Sequence, residues 1–212
     1  MKILSVNLAS STTIEFNGQE VSTGIFKRPV EGVIPVGEYG LEADTIVDKS
    51  VHGGLDQALY LYHKEDYDWW SEQLGKPVEY GAFGENLTIA GLEDIDWVIG
   101  DRLTINEVEL EITGPRVPCF KLGVRMGDNT VVKKFVQACR LGAYVRVLQG
   151  GNVQAGDEVV VHKTSEDFAS VKAVFTEWHK KDKDKGLLQK ALASPIAIVH
   201  KTRIQEWLEA LS

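Results

Sequence analysis

Short stretches that alternate apolar and polar residues recur from the first residues to about position 163. Glycine and proline separate these stretches, and this pattern is typical of β-strands joined by turns. Many short strands with regular turns favour a barrel or a sandwich over a parallel α/β sheet. We expect strands at 3–8, 24–30, 58–62, 87–89, 102–105, 108–113, 142–148 and 158–162.

Two segments within this region have the pattern of residues that is typical of a helix. The first covers residues 64–74 and ends at Gly75, with Pro77 close behind, a common helix C-terminus. The second covers residues 130–138, with Asp128 or Asn129 as its cap. The fold class is therefore expected to be mainly β with interspersed helices.

Beyond about residue 165 the pattern changes to helix. Helices are predicted at 168–181, 187–193 and 202–211, so we divide the chain into a β domain (1–164) and a three-helix appendage (165–212). Three short helices bury little surface by themselves. We therefore expect the appendage to pack either on the β domain or on a second subunit, and a homodimer is one of these two alternatives.

Composition excludes several classes of partner. The chain has 212 residues, 43% hydrophobic and 25% charged, as in soluble globular proteins. Its net charge of −8 argues against nucleic acid or an anionic membrane, although a local basic pocket could bind a small anion. Two cysteines without a CxxC pair, a strand-like N-terminus and no long apolar run indicate a reduced cytoplasmic protein.

The run from Pro115 to Cys119 contains the first candidate for chemistry. Pro115 and Pro118 restrict the backbone on both sides of Arg116. A guanidinium near Cys119 favours the thiolate, which attacks electrophiles or binds soft metals. The alternative is a buried structural cysteine behind a turn.

Two glycine-containing stretches are the next candidates. In 52–56, the backbone N–H groups at Gly53 and Gly54 and the His52 side chain could hold an anion, or the stretch could form a bulged turn. In 81–87, the polar pair Glu85 and Asn86 could bind the edge of a heterocycle, or the stretch could be a β-turn with an Asx cap.

The strand at 142–148 raises a further question. Alternation places Tyr144 and Arg146 on one face and the two valines on the other. An inward polar pair would suggest a ligand, whereas an outward pair would carry no functional meaning. Cys139 lacks a flanking pattern, and a packing role is expected for it.

Taken together and in order, these stretches resemble the MOSC domain family, specifically its YiiM-like branch. The matching stretches, including their neighbours, are 24–30, 40–44 with 52–56, 81–88, 115–122 and 142–148. The resemblance covers nearly the whole β domain, and the appendage also looks like that branch. One departure is the turn Glu42–Ala43–Asp44, where a glycine is expected beside the aspartate.

The resemblance implies a β-barrel that holds the molybdenum cofactor, a pterin dithiolene with a phosphate. It makes Cys119 the metal ligand and catalytic residue, and a soft thiolate suits such a metal. The other residues that it implies in cofactor binding are Lys27, His52, Gly53, Gly54, Asp56, Phe83, Gly84, Glu85, Asn86 and Arg116.

The resemblance also implies an activity. YiiM-like members are reductases of N-hydroxylated compounds, notably hydroxylaminopurines, and convert N–OH to the amine. The chain has no nicotinamide, flavin or iron–sulfur motif, so electrons are expected from a separate redox protein. The alternatives are a cofactor or sulfur carrier that uses Cys119 as a persulfide, and a non-catalytic binding protein for another anionic heterocycle.

Overall fold

The computed structural model describes residues 1–45, 54–91 and 96–211. These residues are rich in short strands, most of them where alternation predicts one. The strands are β1 Lys2–Leu8, β2 Thr12–Phe16, β3 Gln19–Thr23, β4 Arg28–Val30, β5 Ile34–Gly37, β6 Gly40–Leu41, β7 Leu59–His63, β8 Leu87–Ala90, β9 Arg102–Ile105, β10 Val108–Gly114, β11 Ala143–Gln149, β12 Gly151–Val153 and β13 Val160–His162.

The helices confirm all five helical segments that the sequence predicts and add one more. They are α1 Lys64–Leu74, α2 Phe120–Met126, α3 Val131–Ala138, α4 Val171–His179, α5 Lys185–Ala193 and α6 Ile198–Ala210. The additional helix is α2, and it directly follows Cys119. A mainly β protein with interspersed helices is confirmed.

One large mixed sheet organises the described residues. Eight strands pair in the order β13-β9-β10-β11-β7-β8-β1-β4, and the pair β7–β8 is parallel. An isolated bridge between Lys2 and Glu158 also connects β1 to the residues before β13. The strand ladders do not themselves form a closed ring, so the barrel stays a prediction.

The predicted strand at 24–30 is only partly right. Residues 28–30 form β4, but residues 24–27 are irregular, and this segment carries Lys27. The hairpin β2–β3 was not predicted, although it turns at Asn17 and Gly18, both with positive φ. Asn-Gly between two alternating stretches is a strong hairpin signal, because both residues tolerate left-handed backbone.

The C-terminal helices pack on the sheet of their own chain. Val98 bridges to Ser170 just before α4, and the Ala197 N–H just before α6 donates to the Thr113 carbonyl. Phe175 and Ile204 are buried in the same hydrophobic core as the strands. Of the two alternatives, the structure therefore shows packing on the β domain of the same chain. In the described ranges no helix combines the length and the apolar character needed to cross a membrane.

Candidate functional site

The predicted thiol lies on the loop between β10 and α2. Cys119 precedes the first residue of α2 and has an extended backbone, with φ −127° and ψ 176°. Its thiol forms no disulfide, and the residue is partly exposed. Two prolines restrict this loop. Cys119 is therefore partly exposed, and its backbone lies on a stiff loop.

Arg116 is buried three residues before the thiol, with only 5% of its surface exposed. Its Nε donates to the Phe83 carbonyl over 3.2 Å, and its Cζ lies 5.3 Å from the centre of the Tyr60 ring. No carboxylate of the described residues lies within ion-pair distance of this guanidinium. Burying a charge without an ionic partner is costly. The site can therefore gain stability by binding an anion.

Electrostatics keep Arg116 charged. Burial by itself lowers its pKa, but nearby Tyr144, Tyr60, Cys119 and Glu85 favour the cation, and the net pKa is raised. The same interactions show that these groups lie in one electrostatic environment around the guanidinium.

Glu85 is a fully buried carboxylate with one unused oxygen. Its Oε1 accepts hydrogen bonds from the Tyr67 hydroxyl, the Gly81 N–H at 2.7 Å and the Thr88 hydroxyl at 2.8 Å. Its Oε2 has no hydrogen-bond partner among the described residues. Burial raises the pKa of Glu85, although these donors oppose the shift. A buried acceptor without a partner is costly, and a ligand donor would satisfy it.

Lys27 forms a buried ion pair with Asp44. Burial lowers the pKa of Lys27, and the Asp44 carboxylate opposes the shift. Asp44 Oδ1 also accepts the Ala9 N–H over 3.0 Å. Asp44 is a site residue to which sequence reasoning gave no role, because the glycine expected beside it is replaced by Ala43.

Asn86 joins these groups to the sheet. Its Nδ2 donates to Asp44 Oδ2 over 2.8 Å, and its Oδ1 accepts the Tyr60 N–H over 3.1 Å. Gly81 brings this stretch against Lys27, since a Cβ at Gly81, where φ is +83°, would lie 2.6 Å from the Lys27 carbonyl oxygen. The two separately predicted motifs therefore meet in the fold.

Phe83 and Gly84 lie next to the Arg116 side chain. The Phe83 side chain is fully buried and stacks on Tyr62, with ring centres 4.5 Å apart. Its backbone carbonyl, rather than its ring, contacts Arg116. A Cβ on Gly84 would lie 3.0 Å from Ile25 and 3.8 Å from Arg116 Nη2. Direct contact of Phe83 or Gly84 with a cofactor stays a prediction.

The 52–56 stretch is described only from Gly54 onward, so His52 and Gly53 lie outside the described residues. Gly54 has a φ of 79° and precedes a single 3-10 turn. Asp56 pairs with Arg146 at 2.9 Å and accepts the Ile198 N–H over 3.0 Å. In this structure Asp56 thus connects the sheet to α6, and its role in cofactor binding stays a prediction.

Tyr144 and Arg146, the two polar residues on one face of β11, have different surroundings. Arg146 binds Asp56 and the Pro195 carbonyl, which is structural. Tyr144 packs against Tyr60 with ring centres 5.3 Å apart, and its pKa is raised by burial, with Arg116 opposing and Cys119 adding to the shift. Among the described residues the Tyr144 carbonyl accepts a hydrogen bond from the Thr113 hydroxyl over 3.1 Å, whereas the Tyr144 hydroxyl has no partner. In the sequence, Tyr144 could be noticed because it lies on the polar face of an alternating strand. Tyr60 could not, because it lies in a strand that is apolar on both faces.

These residues fit an anionic group that carries a soft metal. Nowhere in the described ranges do three His, Cys, Asp or Glu residues cluster as metal ligands, so Cys119 would be the soft protein donor at this site. Arg116 supplies positive charge without a carboxylate partner, and Glu85 Oε2 supplies an unused acceptor. The chemistry of this donor set agrees with the molybdenum cofactor that the resemblance implies.

Comparison with known proteins identifies the class. The family model of the MOSC domain matches residues 48–160, which include the cysteine loop, β7 and β11. The chain therefore belongs to the MOSC domain family, as the sequence motifs predict.

Its relatives are bacterial and fungal. The chain is 37% identical over 169 residues to the uncharacterized protein YflK of Bacillus subtilis (80% of this chain, 76% of that protein). It is 30% identical over 160 residues to protein YiiM of Escherichia coli (74% of this chain, 71% of that protein). It is 34% identical over 146 residues to a protein named reductase from Gibberella moniliformis (67% of this chain, 26% of that longer protein).

A solved structure has the same fold. The crystal structure of YiiM from Geobacillus stearothermophilus matches with a TM-score of 0.81 at 26% identity, covering 98% of both chains. Because this match includes the C-terminal helices, the whole described architecture is shared with a YiiM protein. The expected membership of the YiiM-like branch is confirmed.

Proposed function

We propose that this chain is a molybdenum-cofactor-dependent reductase of N-hydroxylated compounds such as hydroxylaminopurines. The overall reaction is R–NHOH + 2 H⁺ + 2 e⁻ → R–NH₂ + H₂O, in which the N–O bond breaks and its oxygen leaves as water. Membership of the MOSC family and a relative named reductase support an oxidoreductase. The substrate class follows from the resemblance to the YiiM-like branch.

The observation that carries the proposal is the pairing of Cys119 with Arg116 on one stiff loop. The thiol is free and accessible, while the guanidinium is buried with no described carboxylate partner. A purely structural cysteine would not need a buried cation without an ion-pair partner on the same loop. An anionic, metal-bearing ligand accounts for both features.

Each of the remaining groups has a role toward that ligand. The cofactor, when bound, supplies the redox centre that exchanges the two electrons. Cys119 would ligate the metal as its thiolate, and Arg116 with Lys27 would offset the negative charge of the pterin dithiolene and its phosphate. Glu85 Oε2 would accept a hydrogen bond from a pterin N–H group, which would satisfy its unused acceptor.

Tyr144 is our candidate for proton delivery. Its hydroxyl has no hydrogen-bond partner among the described residues, and burial raises its pKa, so the phenol is a hydrogen-bond donor at neutral pH. A phenol in this state donates a hydrogen bond to the departing oxygen of the N–OH group. Arg116 and Cys119 both influence the pKa of Tyr144. Tyr144 therefore lies close enough to the proposed centre to interact with it electrostatically.

The two electrons are proposed to come from a separate redox protein. The sequence has no nicotinamide, flavin or iron–sulfur motif. The matched region covers only 26% of the fungal reductase, so that protein has ample chain for further domains.

The test is a reductase assay on purified protein from a host that makes the cofactor. Reduced viologen would supply electrons to 6-hydroxylaminopurine, and chromatography would measure adenine. We expect adenine from the wild type and from Cys139→Ser, and at least about a hundredfold less from Cys119→Ser. Adenine formation by all three proteins at the same rate would exclude Cys119 from the reaction, and none from cofactor-loaded wild type would contradict the proposed activity.

A carrier function is the alternative that the free, partly exposed Cys119 thiol also favours. In that case the thiol would hold a persulfide or pass the cofactor to another protein. Intact-mass measurement distinguishes the two functions. A mass increase of one sulfur atom on Cys119, in protein that contains no molybdenum, would support the carrier.

A further inference from the structure

The appended helix α6 reaches the loop that carries the thiol through a single histidine. His200 is 3% exposed, and its Nε2 lies 3.1 Å from the Pro115 carbonyl oxygen. Pro115 is the first residue of the cysteine loop and directly precedes Arg116. The hydrogen bond therefore acts on the backbone that sets the direction of both functional side chains.

Two further contacts fix the same piece of backbone. The Ala197 N–H donates to the Thr113 carbonyl over 2.9 Å, one turn before His200. Between these two bonds, a Cβ on Gly114 would lie 2.8 Å from His200 Cδ2, so only glycine allows the ring this close. The start of α6 thus contacts three consecutive residues, Thr113, Gly114 and Pro115, where β10 ends.

The chemistry of the ring determines which nitrogen holds the proton. A carbonyl oxygen only accepts, so Nε2 must carry the hydrogen. Nδ1 is buried and has no hydrogen-bond partner among the described residues. Burial lowers the pKa of His200 to about 4, so the ring is neutral at physiological pH. The Trp178 ring stands nearly perpendicular to it, with centres 5.1 Å apart, and fixes the plane of the imidazole.

We propose that His200 is a positioning residue for the Arg116–Cys119 loop, and that the C-terminal helical segment is therefore part of the functional site. The inference rests on the proposed function only for the identity of the ligand, since the loop is fixed whether or not a cofactor is bound. A simple packing role for His200 would need its ring but not its Nε2–H.

The experiment compares side chains of similar size with and without a donor. Full-length protein is made in a host without the cofactor, and Cys139→Ser leaves Cys119 as the remaining thiol. In this background we compare His200→Met, which has no N–H, with His200→Gln, which retains one. Lys201→Ala, an exposed neighbour on α6, serves as the control. The rate constant for alkylation of Cys119 by iodoacetamide reports how the loop holds the thiol.

We expect His200→Met to raise the alkylation rate about fivefold, because loss of the hydrogen bond frees the loop. His200→Gln should return it to within about twofold of the parent, and Lys201→Ala should match the parent. Equal rates in the Met, Gln and parent proteins would overturn the proposal. So would an equal rise in the Met and Gln variants, which would indicate packing alone.

A second measurement needs no substitution and so remains decisive if the Met variant fails to fold. Long-range ¹H–¹⁵N correlation spectra of the folded protein identify the protonated nitrogen of each histidine. The Nε2–H tautomer of His200 at neutral pH is the expected result. A dominant Nδ1–H tautomer would remove the donor to Pro115 and contradict the proposal, whatever the outcome for cofactor or activity.

Discussion

Lys27 and Asp44 form an ion pair in which both side chains are less than 10% exposed. The bond joins the irregular segment before β4 to the turn after β6. Asn86 attaches the pair to the sheet by donating to the same Asp44 oxygen. The orientation of Lys27 toward the proposed cofactor therefore depends on the geometry of the turn that holds Asp44.

That turn contains a strained alanine. Ala43 has a φ of +66°, a left-handed backbone that glycine adopts without steric cost. We predict that Ala43→Gly raises the free energy of unfolding by about 1 kcal/mol. Urea denaturation would measure the change, with Ala173→Gly in helix α4 as the control. The control should lose about 1 kcal/mol, because glycine is unfavourable within a helix. A loss of stability at both positions would contradict this view of the turn.

The sequence predicts the long elements well because their periodicity is strong. Helix α1 matches its predicted limits, ending at Gly75, which has a φ of 63°. Helix α2 was missed for physical reasons: it is short, contains Gly123, and has Cys119 as its N-cap, which makes no side-chain capping bond. Strands such as β6, of two residues, are too short for any periodic pattern.

The site could be predicted where its residues are chemically distinctive. Cys119 and Arg116 stand out in sequence, and the structure places them on one loop. Asp44 and Tyr60 do not stand out, since their roles depend on tertiary contacts with Lys27 and Arg116. His200 does not stand out either, for the same reason: its partner, Pro115, is 85 residues away in the chain.

Removing the Arg116 cation should reduce cofactor binding far more than it reduces stability. We predict that Arg116→Met lowers the free energy of unfolding of the cofactor-free protein by only about 1 kcal/mol, because the hydrogen bond to the Phe83 carbonyl is lost while the cost of burying the cation is removed. The same substitution should lower molybdenum content at least about tenfold, since charge-assisted hydrogen bonds to the anion are lost. Denaturation and metal analysis of one preparation measure both. Arg102→Met, on the surface, is the control and should retain its molybdenum.

His200 should make the protein acid-sensitive. Its folded pKa of about 4 lies below the ordinary histidine value of 6.5, so the unfolded state binds more protons between these values. This contribution to stability is therefore complete above pH 6.5 and is lost as pH falls toward 4, by about 3 kcal/mol in total.

Urea denaturation at several pH values between 7 and 4 measures this loss. The wild type should lose more stability than His200→Gln over the interval, since glutamine does not titrate. Parallel curves for the two proteins would mean that His200 is not buried as a neutral ring.

Tyr144→Phe should slow the reaction without removing the cofactor. A positioned proton donor contributes about a hundredfold or more to rate. We predict a decrease of that order in kcat for the reduction of 6-hydroxylaminopurine, with molybdenum content unchanged. Tyr39→Phe, an exposed tyrosine, is the control. A Tyr144→Phe enzyme with full kcat would assign proton delivery to another group.

The most direct test of the account is the molybdenum content of three proteins made in the same cofactor-competent host. Elemental analysis would compare the wild type with Cys119→Ser and Cys139→Ser. Each variant lacks one of the two cysteines of the chain. If Cys119 ligates the metal, wild type and Cys139→Ser contain about one molybdenum per chain and Cys119→Ser contains little or none. Equal molybdenum in all three proteins, or none in the wild type, would contradict the account.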